Sequence, residues 1–266
     1  MRTTRLHAPV HAALTAAVLM TTLTASTAPA AAESPLHYVA LGDSYSSGTG
    51  IGDYSDQGCR RSDRAFPQLL AAEIGAELDF AACSGARAAD VESGQAGRLG
   101  ADTDLVTITL GGNDIDWARA IRACVTPFTG CIDDIEEAER RAENELPGKL
   151  AAAYGAVAER APDASVYVLG YPRLFNAEDE CDAFGQISIG EQKRMNRTAD
   201  VLAGITEEAA RAQGFTYVDV RSAFDGHAVC DPAPWINGLR HPIGDSYHPN
   251  ARGHSEGYLP EIAALI

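Results

Sequence analysis

Short apolar runs alternate with stretches of helical periodicity along most of the chain. Five runs read as strands: Leu36–Leu41, Leu78–Ala82, Asp104–Leu110, Ser165–Leu169 and Phe215–Val220. Runs of this length, bounded by glycine and polar residues, suit strands buried in a parallel sheet. Helical patterns fall at Ala65–Ile74, Ile115–Ala123, Ile132–Asn144, Pro147–Arg160, Gly190–Gln213 and Asn250–Ala264. Within Gly190–Gln213, Met195, Leu202, Ile205 and Ala209 recur at helical spacing with charges between them, a stripe that faces a core. Pro147 either breaks the long central pattern or opens a new helix in its first turn. The alternation predicts an α/β protein with a parallel sheet covered by helices.

Four connections are too long for simple turns: Thr49–Asp63, Thr126–Asp133, Tyr171–Ile189 and Arg221–Tyr247. Each contains or borders a cysteine. Loops of this kind in a compact domain are functional or pinned.

The start of the chain reads differently. Arg2 and Arg5 precede a short apolar stretch, Ala12–Leu23, and small residues follow up to Ala32. This is the pattern of a secretory signal peptide over residues 1–32, with cleavage after Ala30 or Ala32. A spanning helix needs about 20 apolar residues, and threonines interrupt this run. Residues 33–266 are then ample for one α/β domain in an extracellular setting.

Composition narrows the partners. The whole chain carries 21 basic and 37 acidic residues, a formal charge of −16; without Arg2 and Arg5 the basic count becomes 19 and the charge −18. Such a balance argues against nucleic acid and against docking on anionic membranes, and leaves neutral or apolar substrates open. Stable membrane insertion is not expected, and a monomer is.

Six cysteines, Cys59, Cys83, Cys124, Cys131, Cys181 and Cys230, follow the leader. An even count behind a signal peptide reads as three disulfides, with fifteen pairings open. Sequential pairing is the expectation, most clearly for the short Cys124–Cys131 loop with Pro127 and Gly130 inside it. No Cys-x-x-Cys or clustered histidine spacing suggests a metal, so no metal site is expected.

Two motifs carry the chemistry. The first strand ends in Gly42-Asp43-Ser44-Tyr45-Ser46-Ser47-Gly48, and Asp245-Ser246-Tyr247-His248-Pro249-Asn250 stands near the end of the chain. A serine hydroxyl is a weak nucleophile until a base takes its proton. Ser44 just past a strand and His248 far along the chain supply those two groups. Two further turns follow predicted strands: Cys83-Ser84-Gly85-Ala86 and Gly111-Gly112-Asn113-Asp114. In a parallel sheet all three turns lie at one edge, where open α/β folds bind ligands. The Ser44 and Gly85 N–H groups and the Asn113 amide are candidate donors to an oxyanion. A metal-dependent adhesion module also places Asp-x-Ser-x-Ser at a strand end, but Tyr45 stands where its second serine would be.

In these four blocks, Gly42-Asp43-Ser44, Gly85, Gly111-Gly112-Asn113-Asp114 and Asp245-x-x-His248, the chain resembles the secreted branch of the SGNH, or GDSL, hydrolases. The resemblance runs from Tyr38 to Asn250. It implies a flavodoxin-like three-layer α/β/α sandwich on a central parallel five-stranded sheet. It also implies a serine carboxylic ester hydrolase, a lipase, esterase or phospholipase A1, that needs no cofactor. The alternative within the same fold is a carbohydrate deacetylase of the acetylxylan type. The family pattern gives Asp245 the task of orienting His248, while some members use a main-chain carbonyl instead, here that of Ser246 or Asp245. The spacing does not choose between them.

Other residues read more plainly. His37 and His254 suit packing or surface positions. His227 and His241 suit loop positions. Trp117, Phe128, Phe175, Phe184 and Trp235 could wall an acyl groove, although aromatic residues in such domains mostly fill cores. Asp114 reads as support for its own turn. An unperturbed histidine titrates at about 6.5, and the acidic excess is expected to move His248 upward from there.

Overall fold

A computed structural model describes all residues except 6, 9–33, 127–129 and 182–186. Residues Met1–Ser34 and Pro35–Ile266 form two separate units. In the first, residues 1–5, 7, 8 and 34 carry no regular structure, and nearly all of the expected signal peptide lies outside the described residues. Pro127, Phe128 and Phe184 lie outside them too.

The second unit is built on five parallel strands: β1 His37–Gly42, β2 Glu77–Phe80, β3 Leu105–Thr109, β4 Ser165–Leu169 and β5 Thr216–Val218. Their order is β2-β1-β3-β4-β5. The five predicted runs become these strands, β4 with the expected bounds and the others with ends shifted by one or two residues. Every residue of β3, and all of β1 except His37, is buried, as central strands covered on both faces require. Edge strands β2 and β5 keep exposed positions and read less clearly.

The helices are α1 Ser44–Ser47, α2 Phe66–Ile74, α3 Ala88–Ser93, α4 Trp117–Cys124, α5 Ile132–Asn144, α6 Leu146–Arg160, α7 Ile189–Ala212 and α8 Leu259–Ala263. A π-helical segment, Gly253–Tyr258, runs directly into α8. Packing divides them into two sets. The first joins α2 with α8, and the second links α3 through α6 and α7 to α5 and α4. With the sheet between them the result is the expected three-layer sandwich. Helix α5 is strongly acidic but buries Ile135, Ala138, Glu139 and Ala142 at one-face spacing, and this stripe packs on α7. Pro147 opens α6 in its first turn, where a missing N–H costs nothing. Helix α7 starts from a capping box, with the Ser188 hydroxyl accepting from the Glu191 N–H and the Glu191 carboxylate accepting from the Ser188 N–H at 2.9 Å.

Two helices depart from the sequence expectation. Helix α4 begins at Trp117 rather than Ile115, because Asp116 is left-handed (φ 55°) and closes the preceding turn. The last helix starts at Ala251, one residue from the expected Asn250, and passes through the π-helical segment into α8. Helix α3 has no counterpart among the predicted helices. It is six residues long, and its first N–H, on Ala88, donates to Asp114 Oδ2 at 3.0 Å, a cap supplied from 26 residues away. Asp114 therefore supports α3 as well as its own turn.

Disulfides join Cys59 to Cys83, Cys124 to Cys131 and Cys181 to Cys230, closing sequence separations of 24, 7 and 49 residues. Constraining the unfolded chain in this way contributes about 2–4 kcal/mol per bridge. Thiol titration of the denatured, unreduced protein should therefore detect no free cysteine. Two or more free thiols per chain would contradict this pairing.

Candidate functional site

The strand order reverses between β1 and β3, so the crevice of the sheet opens beyond their carboxyl ends. Gly42 ends β1 at φ 115°, and a Cβ there would lie 2.8 Å from Thr109 N, so only glycine fits. The next residue, Asp43, donates its N–H to Thr109 O at 3.0 Å. Its Oδ1 accepts from Thr109 Oγ1 at 2.7 Å and from the Tyr45 N–H at 3.0 Å, which caps α1. Its Oδ2 accepts from the Tyr171 hydroxyl at 2.5 Å. Burial pushes the Asp43 carboxyl up to about 6, against the pull of these three donors. Gln95 brackets Gly42, accepting from its N–H at 2.7 Å and donating to its carbonyl at 2.9 Å. Ser44, the first residue of α1, is thereby fixed at the head of the crevice.

His248 reaches Ser44 from the other end of the chain. Its Nε2 lies 2.8 Å from Ser44 Oγ, and its Nδ1 lies 2.9 Å from Ser246 O. A carbonyl can only accept, so Nδ1 carries the proton and Nε2 offers its lone pair to the serine hydroxyl. The segment is tightly held. Tyr247 is left-handed at φ 58°, and its carbonyl accepts from the Tyr45 hydroxyl at 2.8 Å. Asn237 donates to His248 O and accepts from the Tyr247 N–H, both at 2.9 Å. Gly50 lies so close that a Cβ would be 2.7 Å from the His248 Cβ.

The Asp245 carboxylate makes no hydrogen bond to His248; of the two partners the sequence left open, the Ser246 carbonyl is the one that lies at Nδ1. Its Oδ1 accepts from the Tyr54 hydroxyl at 2.6 Å and from Arg60 Nη1 at 3.3 Å. Its Oδ2 is buried and makes no hydrogen bond among the described residues. Three residues are too short a span for it to curl back once the Ser246 carbonyl occupies the Nδ1 side. Asp245 acts on His248 only through space, favouring the imidazolium, and Arg60 opposes it. The upward shift expected for His248 is corrected. Burial dominates and pushes the imidazole down to about 4, outweighing the Ser246 carbonyl and Asp245. Net charge of the chain does not reach this ring; local desolvation does.

The two other turns converge on the same edge. Cys83 donates to Gly42 O at 3.0 Å, tying the second turn to the first. The Ser44 and Gly85 N–H groups make no hydrogen bond among the described residues and are open to a ligand. The Asn113 side-chain amide gives one proton to Ala86 O at 3.0 Å, which leaves its second free. The Gly112 N–H donates to the Tyr171 hydroxyl at 3.2 Å, so Tyr171 links the β3 turn to Asp43. Neither Thr109 nor Tyr171 stood out in the sequence. Thr109 reads there as an ordinary strand residue and Tyr171 as the start of a loop, and only the fold gives them partners.

Ser44, Asn113 and His248 line one cavity of about 200 Å³. Its wall is mainly apolar, with Ile115, Trp117, Ile121, Val125, Leu174 and Leu202. Of the aromatic residues considered for such a wall, Trp117 lines it. Phe175 is buried beside Tyr247, and Trp235 stacks on His227 with ring centroids 3.6 Å apart. His254 is fully buried and accepts from the Phe66 N–H at 3.3 Å; burial pushes it down to about 3. A serine hydroxyl, an imidazole in the correct tautomer and unpaired donors beside an apolar cavity can together perform acyl transfer.

The sequence pattern of the GDSL-like lipase/acylhydrolase family matches residues 40–255. The chain is 45% identical over 241 residues to Lipase 1 of Streptomyces coelicolor, covering 88% of this chain and 87% of that protein. The structure is similar to that of an extracellular lipase from Streptomyces rimosus, with a TM-score of 0.83, 40% identity and coverage of 87% and 100%. A phospholipase A1 from Streptomyces albidoflavus NA297 matches equally, with a TM-score of 0.83, 40% identity and coverage of 88% and 100%.

Two measurements test the site. Asp245→Asn should lower kcat/KM by less than about tenfold, whereas removing a carboxylate that fixes the tautomer costs about 10⁴-fold. A loss near the larger figure would return the role to Asp245. The acid limb of kcat/KM should fall through about pH 4, where His248 gains its proton, and not near 6.5. A midpoint at or above 6.5 would contradict the buried, neutral ring.

Proposed function

The chain belongs to the GDSL-like lipase/acylhydrolase family, and from that premise we propose that Ser44 is its nucleophile and His248 its general base. The protein is a carboxylic ester hydrolase that acts on lipid esters. The observation that carries the assignment is the 2.8 Å contact between His248 Nε2 and Ser44 Oγ, with Nδ1 held by the Ser246 carbonyl. Ser44 Oγ attacks the ester carbonyl as Nε2 takes its proton. The oxyanion is held by the Ser44 and Gly85 N–H groups and the free proton of the Asn113 amide. The imidazolium returns the proton to the leaving alcohol, and an acyl group remains on Ser44. Water, deprotonated by Nε2, then releases the acid. Protein groups alone carry every step.

The acyl chain of a glyceride or phospholipid lies along the apolar wall of the cavity. Ile243, at its lining, is 61% exposed and extends that apolar surface outward. A carbohydrate deacetylase would need polar partners for a sugar ring along this wall, so the lining supports the lipid ester. The leader-like sequence over residues 1–32 and the three disulfides support action outside the cell. The protein works as a monomer, its nucleophile, base and oxyanion donors all coming from one chain.

Ser44→Ala should lower hydrolysis of a p-nitrophenyl ester by about 10⁶-fold while circular dichroism and the melting transition stay unchanged. Turnover above about a hundredth of wild type would remove Ser44 from the role. Long-chain glycerides should be cleaved in preference to acetylated xylan, and acetate release from the polysaccharide as the faster reaction would favour the deacetylase.

A further inference from the structure

The cavity has two charged side chains in its wall besides His248, and only one of them is unengaged. Asp43 is occupied by Tyr171, Thr109 and the Tyr45 N–H. Arg122, in the last turn of α4, is exposed, and its guanidinium makes no ion pair or hydrogen bond among the described residues. The side chains of Arg64 and Lys193 likewise make no ion pair or hydrogen bond among the described residues, but neither lines the cavity. Arg119, three residues earlier, pairs with Asp134 at 3.0 Å, and Arg141 holds both Glu137 and Asp116. Among the described residues no carboxylate pairs with Arg122, and the cavity wall beside it is apolar.

Its position along the cavity is informative. Ala118, Ile121, Arg122 and Val125 share the side of α4 that faces the cavity. Asn113 stands just ahead of the helix, at the end where Ser44 lies. From Trp117 to Arg122 the helix advances about 7.5 Å, at about 1.5 Å per residue. In a glycerophospholipid the phosphorus lies four or five covalent bonds, each about 1.5 Å, from the oxygen of the scissile ester. Ser44 and Arg122 line the same cavity, so one bound lipid can present its ester to the first and its phosphate to the second. A planar guanidinium matches a phosphate's paired oxygens in a way that a neutral glyceride headgroup cannot use.

We propose that Arg122 is a specificity residue that binds the phosphodiester anion of a glycerophospholipid whose ester lies at Ser44. The proposal rests on the ester-hydrolase reading above and names the substrate that its cavity favours. The competing explanation is that Arg122 complements the carboxyl end of α4, as a cation in a last turn does. That role is blind to the substrate.

The test compares phosphatidylcholine with the diacylglycerol of the same acyl chains, each in Triton X-100 mixed micelles, for wild type, R122Q and R122K. The readout is the ratio of kcat/KM for phospholipid to that for diacylglycerol. R122Q should lower the ratio about tenfold, the size expected for one charge-assisted contact, and R122K should fall between the two. Raising sodium chloride should lower the wild-type ratio, because an exposed ion pair is screened. A ratio within twofold of wild type in R122Q overturns the proposal. So does a wild type that cleaves diacylglycerol but not phosphatidylcholine. If R122Q loses all activity, R122K and the salt series decide, and a flat ratio in both overturns it. A wild type inactive on both lipids and on p-nitrophenyl butyrate would instead defeat the ester-hydrolase reading itself.

Discussion

The site depends on the approach of two backbones, Gly42 at the end of β1 and Thr109 at the end of β3. No side chain fits between them. Thr109 then uses all of its polar groups on the turn that carries Ser44. Its carbonyl accepts from Asp43, its hydroxyl donates to the Asp43 carboxylate, and its N–H donates to Ser46 Oγ at 3.2 Å. Ser44 is thus anchored to the central strand of the sheet and not to a surface loop. Asp43 extends the anchor through Tyr171 to Gly112, so the Asn113 donor is placed from the same point. A shift in this contact would move hydroxyl and amide together.

The base is set by a different kind of constraint. A carboxylate partner would stabilise the imidazolium, but a carbonyl fixes the tautomer while adding only a partial charge. In a desolvated pocket the ring is then a weaker base that is neutral over a wider range of pH. The ring gives up proton affinity and stays neutral in mildly acidic surroundings. Asp245, freed from the ring, instead ties the loop of Tyr54 and Arg60 to the segment that bears His248. That loop is pinned in turn by the Cys59–Cys83 bridge.

Much of this was legible in the sequence, for physical reasons that differ by element. Strands β1 and β3 stand out because burial on both faces leaves a continuous apolar run. Ser44, Gly85 and Asn113 stand out because they follow predicted strands in glycine-containing turns, and His248 because it stands in the Asp245-x-x-His248 motif. Helix α3 does not stand out, since its cap comes from Asp114 across the structure. The choice of the Ser246 carbonyl left no trace, because every residue has a carbonyl and only geometry selects one. The depressed His248 also escaped the sequence. Composition reports net charge, whereas the ring responds to the solvent it has lost.

Ser44 and His248 stand 204 positions apart, and their contact spans almost the entire folded unit. All five strands are complete by Val218, well before the base appears in the chain. The strands and the Ser44 turn are thus encoded apart from the segment that bears His248, which is held in place by Asn237 and Tyr45. The site is in this sense a closing seam: only a chain folded from β1 to its final segment brings the two side chains within 2.8 Å.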